Sequence, residues 1–210
     1  MKTEIIPAAE IEQALHILQN GGIVAFPTDT VYGLGALAFN NTAIESIYTA
    51  KNRPIEKAIP ILIGDLGDLD KVADDIPNMA LHLAARFWPG PLTCVVPKKL
   101  ILPPAVSSTS TVAVRIPDHY DARALLRTAG PMAVTSANIS GQPSPSTAQE
   151  VYDQLNGRIP LILDGGKTKG GIPSTLVDCT GKEPIILREG PISLDELLAV
   201  LSETDFRSQS

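Results

Sequence analysis

The residues best suited to chemistry follow an apolar run that is typical of a buried strand. Residues 22–26 (GIVAF) lead into the hydroxyl-rich segment 27–32 (PTDTVY), and the helix predicted after it ends on Lys51 and Arg53. Hydroxyl groups, exposed backbone N–H groups and two cations are groups that bind a polyphosphate or another small polar anion. The chain has 17 basic and 23 acidic residues and a net charge of −6, so its composition does not explain two cations at one helix end.

Further polar residues stand at the ends of other strand-like runs. Arg115 closes one run, Ser136 and Asn138 follow the next, and Ser174 and Arg188 lie beside two later runs. Each has a structural alternative, because a cation can stabilise a helix end, an arginine can pair with a structural carboxylate, and serine and asparagine form turns. Together they predict cations and hydroxyls around one cleft, since α/β sheets bind ligands beside strand ends.

Three better-known kinds of site are disfavoured by the sequence. Residues 33–38 (GLGALA) fit G-x-G-x-x-A, yet six residues separate them from the preceding strand and no helix is predicted to begin there, which disfavours a dinucleotide site. The segment 166–168 (GKT) lacks the leading glycine of a P-loop, because position 161 is leucine. The three histidines and two cysteines have no metal-ligand spacing, so no metal-binding residues are predicted.

Apolar periodicity and capping residues predict alternating strands and helices. Helices are predicted over 8–20, from a capping box at Thr42 to Lys51, over 76–87, over 119–128 with Asp118 as the cap, and after capping boxes at Thr147 and Ser193. Strands are predicted at 59–63, 92–96, 111–115, 132–135, 161–163, 175–177 and 185–187. The alternation indicates an α/β domain, and the three closely spaced late strands indicate a mixed sheet.

One domain is predicted over residues 1–202, followed by a polar tail at 203–210. The N-terminus lacks the apolar core of a signal peptide, and no run approaches the ~20 apolar residues of a membrane span. Cys94 and Cys179 are far apart in apolar runs, so reduced thiols and a cytoplasmic location are predicted. An acidic chain is also a poor candidate for a protein that coats nucleic acid.

Eight strings along the chain resemble the YrdC-like family of threonylcarbamoyl-AMP synthases. They are PTDTVYGLGA, KNRP, WPGPLT, VAVRIPDH, TSANISGQPSPST, DGG, PSTLVD and LREGP. The resemblance extends from about Ile5 to Leu201 in the family's order, and it is to the single-domain form, because longer relatives append a C-terminal domain. It implies a YrdC-like α/β fold, in which helices flank a twisted, open sheet of parallel and antiparallel strands.

The resemblance also implies an activity. Family members are nucleotidyltransferases that join ATP, L-threonine and bicarbonate into threonylcarbamoyl-AMP and release pyrophosphate. Downstream tRNA threonylcarbamoyl transferase proteins then pass the threonylcarbamoyl group to adenosine 37 of tRNA. Mg²⁺ would arrive with ATP and be carried mostly by phosphate and water, so it requires no acidic cage in the sequence. Weak tRNA binding is left open, and no membrane partner is implied.

The family's motifs assign residues of this chain to three groups. The implied catalytic residues are Lys51, Arg53, Ser136 and Asn138. The implied L-threonine contacts are Thr30, Arg115, Val134 and Ser174, with Arg115 on the carboxylate. The implied ATP contacts are Arg53, Lys57, Thr111, Ser136, Ser144 and Arg188.

Two features of the sequence set expectations of their own. Leu62 stands where some relatives have a histidine that meets threonine, so the threonine pocket either relies on the other contacts or binds more weakly. The glycine-rich loop 165–172, which carries Lys167 and Lys169, is predicted to be a lid over the nucleotide.

Two other functions remain open, one of a different class and one that keeps the adenylation chemistry but changes the acceptor. One is an RNA-binding module, against which the acidic charge and an aromatic content of 4% argue. The other is a carbamoyltransferase that activates carbamoyl phosphate. Such domains belong to longer chains with acylphosphatase or zinc-finger regions, and neither region is visible in this sequence.

Overall fold

The computed structural model describes residues 2–207, and the side chains of residues 2–203. The strands within this part are β1 (Glu4–Pro7), β2 (Val24–Phe26), β3 (Gly33–Leu37), β4 (Ile61–Leu62), β5 (Leu92–Pro97), β6 (Thr111–Arg115), β7 (Met132–Ser136), β8 (Leu161–Asp164), β9 (Thr175–Asp178) and β10 (Ile185–Arg188). The helices are α1 (Ile11–Gln19), α2 (Asn41–Lys51), α3 (Asn78–Phe87), α4 (Tyr120–Ala129), α5 (Ala148–Leu155) and α6 (Leu194–Arg207), with a 3₁₀ helix at Leu66–Lys71.

The ten described strands form one sheet in the order β1-β8-β2-β3-β7-β4-β6-β5-β9-β10. Parallel ladders join β8 to β1 and β2, β4 to β6, and β5 to β9. The other ladders are antiparallel. The prediction of an open α/β sheet with mixed strand directions is therefore confirmed.

Helices cover both faces of this sheet, because its central strands bury apolar side chains on both sides. One face packs against α1 and α4 through Leu18, Leu125, Leu126, Val24, Phe26, Leu62, Met132 and Val134. The other face packs against α2, α3, α5 and α6 through Ile44, Ile47, Leu83, Val151, Leu197, Leu34, Ile61 and Val114. Leu62 and Val134 belong to the first cluster and also line the cavity of the candidate site, which is described below.

Two helix caps differ from the predicted ones. Helix α2 is capped by Asn40, whose side chain accepts a hydrogen bond from the Ala43 N–H at 3.0 Å, so the predicted Thr42 box is wrong. Helix α4 is capped by His119 instead of Asp118. Asparagine is among the strongest N-cap residues, which explains why it takes precedence two positions before Thr42.

Thr147 and Ser193 cap their helices as predicted, and the capping box is complete at Ser193, whereas at α5 the Glu150 carboxylate accepts from the Ser146 N–H at 2.7 Å. The Glu150 N–H donates to the Thr147 hydroxyl at 3.2 Å at the start of α5. At the start of α6, the Glu196 N–H donates to the Ser193 hydroxyl at 3.3 Å, and the Ser193 N–H donates back to the Glu196 carboxylate at 2.8 Å. Helix α6 then continues to Arg207, into the segment predicted as a polar tail, and residues 208–210 lie outside the described residues.

Strands β1 and β3 were not predicted from the sequence. Strand β3 occupies the glycine-rich segment that was interpreted as a loop. A Cβ atom at Gly33 would lie 2.7 Å from Cγ1 of Val134, and one at Gly35 would lie 2.9 Å from Cε of Met132. These glycines therefore make room for side chains of β7, which is a packing role and not that of a nucleotide fingerprint.

Candidate active site

A cavity of about 280 Å³ lies across the sheet, next to the α1/α4 side of the core. This volume is close to the lower end of small-molecule sites, roughly 300 Å³. Its described lining residues are Thr28, Thr30, Val31, Gly33, Arg53, Ala58, Pro60, Leu62, Thr93, Arg115, Val134, Thr135, Ser136, Pro173, Ser174, Leu176 and Arg188. They include three arginines and no acidic residue, so the cavity is suited to an anion.

The cavity has two ends, set by the register of the sheet. Leu62 pairs with both Arg115 and Met132, and Ser136 stands four residues beyond Met132 on β7, about 13 Å away at the rise of a strand. Arg115 and Ser136 therefore do not meet at one edge of the sheet, as strand ends alone suggested, because β6 and β7 have opposite directions. They lie at opposite ends of a cavity that extends along the strand direction on this face of the sheet.

Arg115 occupies one end and is nearly completely buried, at 5% exposure. Its Nε donates to the Gly90 carbonyl at 2.9 Å, its Nη1 donates to the Thr30 hydroxyl at 3.0 Å, and its Nη2 forms an ion pair with Oδ1 of Asp29. A guanidinium has five N–H groups, so one N–H remains on each terminal nitrogen. Burial lowers the pKa of Arg115, and the charge of Asp29 opposes this shift.

The loop 27–32 reaches Arg115 by folding back across the sheet. It starts after β2, whose Phe26 pairs with Gly33, the partner of Ser136. The Thr28 hydroxyl donates to the Val31 carbonyl at 2.7 Å and lies 3.0 Å from the Thr30 hydroxyl. Because the Thr28 proton is used on Val31, the Thr30 hydroxyl donates to Thr28 and keeps a lone pair for Arg115.

A second arginine forms another wall of the cavity. Arg188 donates from Nη2 and Nε to the Ser174 carbonyl, at 2.7 and 3.1 Å, and from Nη2 to the Ser174 hydroxyl at 3.1 Å. The same hydroxyl lies 2.7 Å from that of Thr93. This chain of contacts fixes the direction of a cation whose pKa is lowered by burial.

Arg53 and Lys51 stand near the opposite end of the cavity and differ in what they contact. Arg53 lines the cavity and donates to the carbonyls of Lys57 at 3.2 Å and Ala58 at 2.8 Å. Lys51 is 1% exposed, and its ammonium donates to the carbonyls of Ser136 and, at 2.5 Å, of Asn138. In this structure Lys51 therefore holds the segment that follows β7, and its predicted contact with a triphosphate stays a prediction.

Burial, and then the charge of Arg53, lowers the pKa of Lys51 from 10.5 to about 7. Between these two values the folded protein binds fewer protons at Lys51 than the unfolded chain does. The free energy of unfolding therefore increases as the pH rises from about 7 to 10.5, and this stabilisation is absent below pH 7.

Asn138 carries a buried acceptor without a partner. Its Nδ2 donates to the carbonyls of Ile139 and Gln142, both at 2.8 Å, while its Oδ1 is buried and unpaired. A buried polar atom without a hydrogen bond is costly. Oδ1 is therefore available to accept a hydrogen bond from a ligand or from water bound to it.

The structure brings together most, but not all, of the predicted site residues. Those that line the cavity are Thr30, Arg53, Arg115, Val134, Ser136, Ser174 and Arg188. Those outside its described lining are Lys51, Lys57, Thr111, Asn138 and Ser144. Lys57 has an exposed side chain, and the hydroxyl of Thr111 pairs with that of Thr109 at 3.0 Å. The ligand contacts assigned to these five residues outside the lining stay predictions.

Three residues at the site had no role predicted from the sequence. Asp29 forms the ion pair with Arg115, and Thr93 contacts Ser174. Leu62, at 5% exposure, presents an apolar surface beside Arg115, where a histidine was considered. Asp29 was visible within the polar segment 27–32, but only the fold places it against a residue that is 86 positions away in the chain.

The predicted lid loop, residues 165–172, lies against the segment that holds Arg115. The N–H groups of Gly170 and Gly171 donate to the carbonyls of Asp29 at 3.1 Å and Thr30 at 2.8 Å. The Tyr32 hydroxyl donates to the Gly166 carbonyl at 2.7 Å. The loop therefore covers one side of the site, and its movement on ligand binding stays a prediction.

Among residues 2–203, whose side chains the structure describes, no group of three or more histidine, cysteine, aspartate and glutamate residues could hold a metal ion. No helix within residues 2–207 has the length and apolar character needed to cross a membrane.

Comparison with known proteins gives matches over most of the chain. The family model Sua5_yciO_yrdC, described as telomere recombination, matches residues 16–190. The chain is 43% identical to threonylcarbamoyl-AMP synthase of Pyrococcus abyssi over 95% of its own length and 59% of the relative, and 44% identical to that of Bacillus subtilis over 91% and 56%. A crystal structure of P. abyssi Sua5 complexed with L-threonine matches with a TM-score of 0.90 and 43% identity, over 96% of this chain and 60% of that one. The chain thus spans a little over half the length of these relatives.

Proposed function

This chain belongs to the Sua5/YciO/YrdC family, and on that premise we propose that it makes threonylcarbamoyl-AMP from L-threonine, bicarbonate and ATP and releases pyrophosphate. The proposed enzyme is a nucleotidyltransferase that acts in the first step of threonylcarbamoylation of adenosine 37 in tRNA. The observation that carries the proposal is the cavity, which presents Arg53, Arg115 and Arg188 and has no acidic residue among its described lining. The named relatives supply the substrates.

At the Arg115 end, we assign the threonine site. Arg115 has one N–H left on each terminal nitrogen, and both are free to donate to a carboxylate. The hydroxyls of Thr30, Ser174 and Thr93 line the same end and can meet the substrate's polar groups, while Leu62 offers an apolar surface to its methyl group. The threonine ammonium first loses a proton to solvent. The free amine then forms a C–N bond to bicarbonate, which becomes a carbamate as water leaves.

At the Ser136 end, we assign the triphosphate. The carbamate oxygen forms a bond to the α-phosphorus of ATP, and the bond from this phosphorus to the bridging oxygen of pyrophosphate breaks. Such a transfer needs positioning and charge neutralisation more than covalent help from the protein. Arg53 faces this end as a cation, and Lys51 holds the segment that carries Ser136 and Asn138.

The residues at this end are compatible with Mg²⁺ that arrives with ATP. The Ser136 hydroxyl at this end and the unpaired Oδ1 of Asn138, which lies outside the described lining, are oxygen donors that would suit this hard cation or its bound water. The phosphates would supply the negative charge. When bound, the ion would supply charge neutralisation for the departing pyrophosphate.

The remaining parts of the proposal concern partners and location. The product would be consumed by tRNA threonylcarbamoyl transferase proteins, with weak tRNA binding as a secondary property. The proposed compartment is the cytoplasm, since Cys94 and Cys179 are buried free thiols, and a reducing compartment keeps thiols in this state.

The experiment that tests the proposal follows pyrophosphate release from ATP and Mg²⁺ with bicarbonate, with and without L-threonine. We expect the wild type to release pyrophosphate only when threonine is present. We expect Arg115→Gln to release little pyrophosphate whether or not threonine is present. Arg123→Gln is the matched control, because Arg123 pairs with Asp65 at 2.7 Å and lies outside the described lining of the cavity. Release that is independent of threonine in the wild type would refute the proposal.

A further inference from the structure

We propose that Asp29 is a built-in counter-ion of the carboxylate site and that its charge makes the site prefer zwitterions to plain anions. The inference rests on the proposed function only where it names L-threonine as the zwitterion. Its physical core is a property of the Asp29–Arg115 pair, which can be tested with a simple carboxylate.

The pair is a buried one. The side chains of Arg115 and Asp29 are 6% and 15% exposed. Arg115 is also held by the Gly90 carbonyl and the Thr30 hydroxyl, so its position does not depend on Asp29 alone. What Asp29 adds, and neither other partner can, is a negative charge.

The loop 165–172 lies on the backbone of Asp29, whose side chain is 15% exposed. Gly170 packs on the Asp29 backbone so closely that a Cβ atom there would lie 2.8 Å from the Asp29 carbonyl oxygen. Charges that are shielded from water interact more strongly and are screened less by salt. An ionised Asp29 therefore acts on any charge that binds to Arg115.

Asp29 does not occupy the free N–H groups of Arg115, and it does not belong to the described lining of the cavity. A ligand carboxylate can thus bind Arg115 while Asp29 stays in place. The carboxylate then meets the attraction of Arg115 and the repulsion of Asp29. A ligand that carries an ammonium group beside its carboxylate offsets this repulsion, and a plain anion does not.

The charge of Asp29 also stabilises the folded protein when no ligand is bound to Arg115. An arginine that is buried without a counter-ion destabilises a folded protein, and Arg188 is a second cation that acts on Arg115. Without Asp29, a small carboxylate from solution would take over the role of counter-ion. Its binding would then stabilise the fold.

The first test uses acetate as the probe and thermal unfolding as the measurement, at equal ionic strength in sodium acetate and sodium chloride. We expect acetate to raise the Tm of Asp29→Asn several degrees more than that of the wild type. The matched control is Asp65→Asn, which removes a surface carboxylate that pairs with Arg123 and Arg127 and should behave as the wild type does. The double variant Asp29→Asn/Arg115→Gln should lose the extra gain.

An Asp29→Asn protein that gains no more from acetate than the wild type would overturn the inference, as would a gain that persists in the double variant. If Asp29→Asn does not fold, the double variant decides, because removing both charges should restore folding. Failure of both variants to fold would overturn the inference as well.

The second test measures ligand selectivity by calorimetry. The two probes are L-threonine and 2,3-dihydroxybutanoate, in which a hydroxyl replaces the amine. We expect the ratio of their affinities to fall at least tenfold in Asp29→Asn and to stay unchanged in Asp65→Asn. An unchanged ratio in Asp29→Asn would overturn the inference. A wild type that does not bind threonine would refute the proposed function instead, and the acetate test would still decide the role of Asp29.

Discussion

Replacing Arg53 by alanine separates a role in catalysis from a role in holding a loop. In the structure Arg53 lines the cavity but also donates two hydrogen bonds to the carbonyls of Lys57 and Ala58. Losing these two bonds from a partly exposed side chain costs about 1–2 kcal/mol of stability. For a chain of this size, that lowers the Tm by roughly 2–8 °C.

The effect on catalysis should be larger and of a different kind. A guanidinium that contacts phosphate oxygens in the transition state contributes about 3 kcal/mol, so kcat/KM for ATP should fall on the order of 100-fold or more. The assay is pyrophosphate release with ATP varied and with threonine and bicarbonate saturating. Arg86→Ala is the control, because Arg86 lies on the exposed side of α3 over the Phe87 ring. If Arg53→Ala lowers the Tm but leaves kcat/KM for ATP at the level of the control, Arg53 serves only the loop.

Three further variants test other parts of the site. Lys51→Met leaves two carbonyls without their donor and should abolish pyrophosphate release. In urea titrations, the free energy of unfolding of the wild type should rise by about 1–2 kcal/mol between pH 7 and 8.5. This rise should be absent in Lys51→Met. Tyr32→Phe removes the hydroxyl that donates to Gly166 at 2.7 Å and should speed hydrogen exchange in the loop 165–172, whereas unchanged exchange would argue against this anchor. Gly33→Ala places a methyl group 2.7 Å from Cγ1 of Val134 and should cost about 1–3 kcal/mol of stability, and a fully stable variant would contradict the packing role of Gly33.

Local chemistry made much of this fold predictable. The caps at Thr147 and Ser193 begin α5 and α6 where expected, and the predicted run 111–115 is strand β6. Strand β3 was not predicted, because its glycines carry no apolar side chains and leave no periodic pattern. Their purpose is set by Val134 and Met132 on β7, which lies about a hundred residues further along the chain.

The site was predictable in its parts and not in its arrangement. The sequence indicated Arg115, Ser136, Ser174 and Arg188 as polar residues at strand ends, and all four line the cavity. That β6 is antiparallel to β7, which separates Arg115 from Ser136, depends on the order of strands in the sheet. The pairing of Asp29 with Arg115 depends on the same long-range arrangement, since neither residue marks the other in the sequence.

The most direct test of the proposed reaction is to trace the carbon of bicarbonate. The protein is incubated with ATP, Mg²⁺, L-threonine and ¹³C-labelled bicarbonate. The nucleotide products are then separated, and their masses are measured by mass spectrometry. We predict a nucleotide with the mass of threonylcarbamoyl-AMP that carries one ¹³C atom, formed in proportion to pyrophosphate and lost in Arg115→Gln. Pyrophosphate and AMP without any labelled adduct, or an adduct without the label, would contradict the assignment of this cavity.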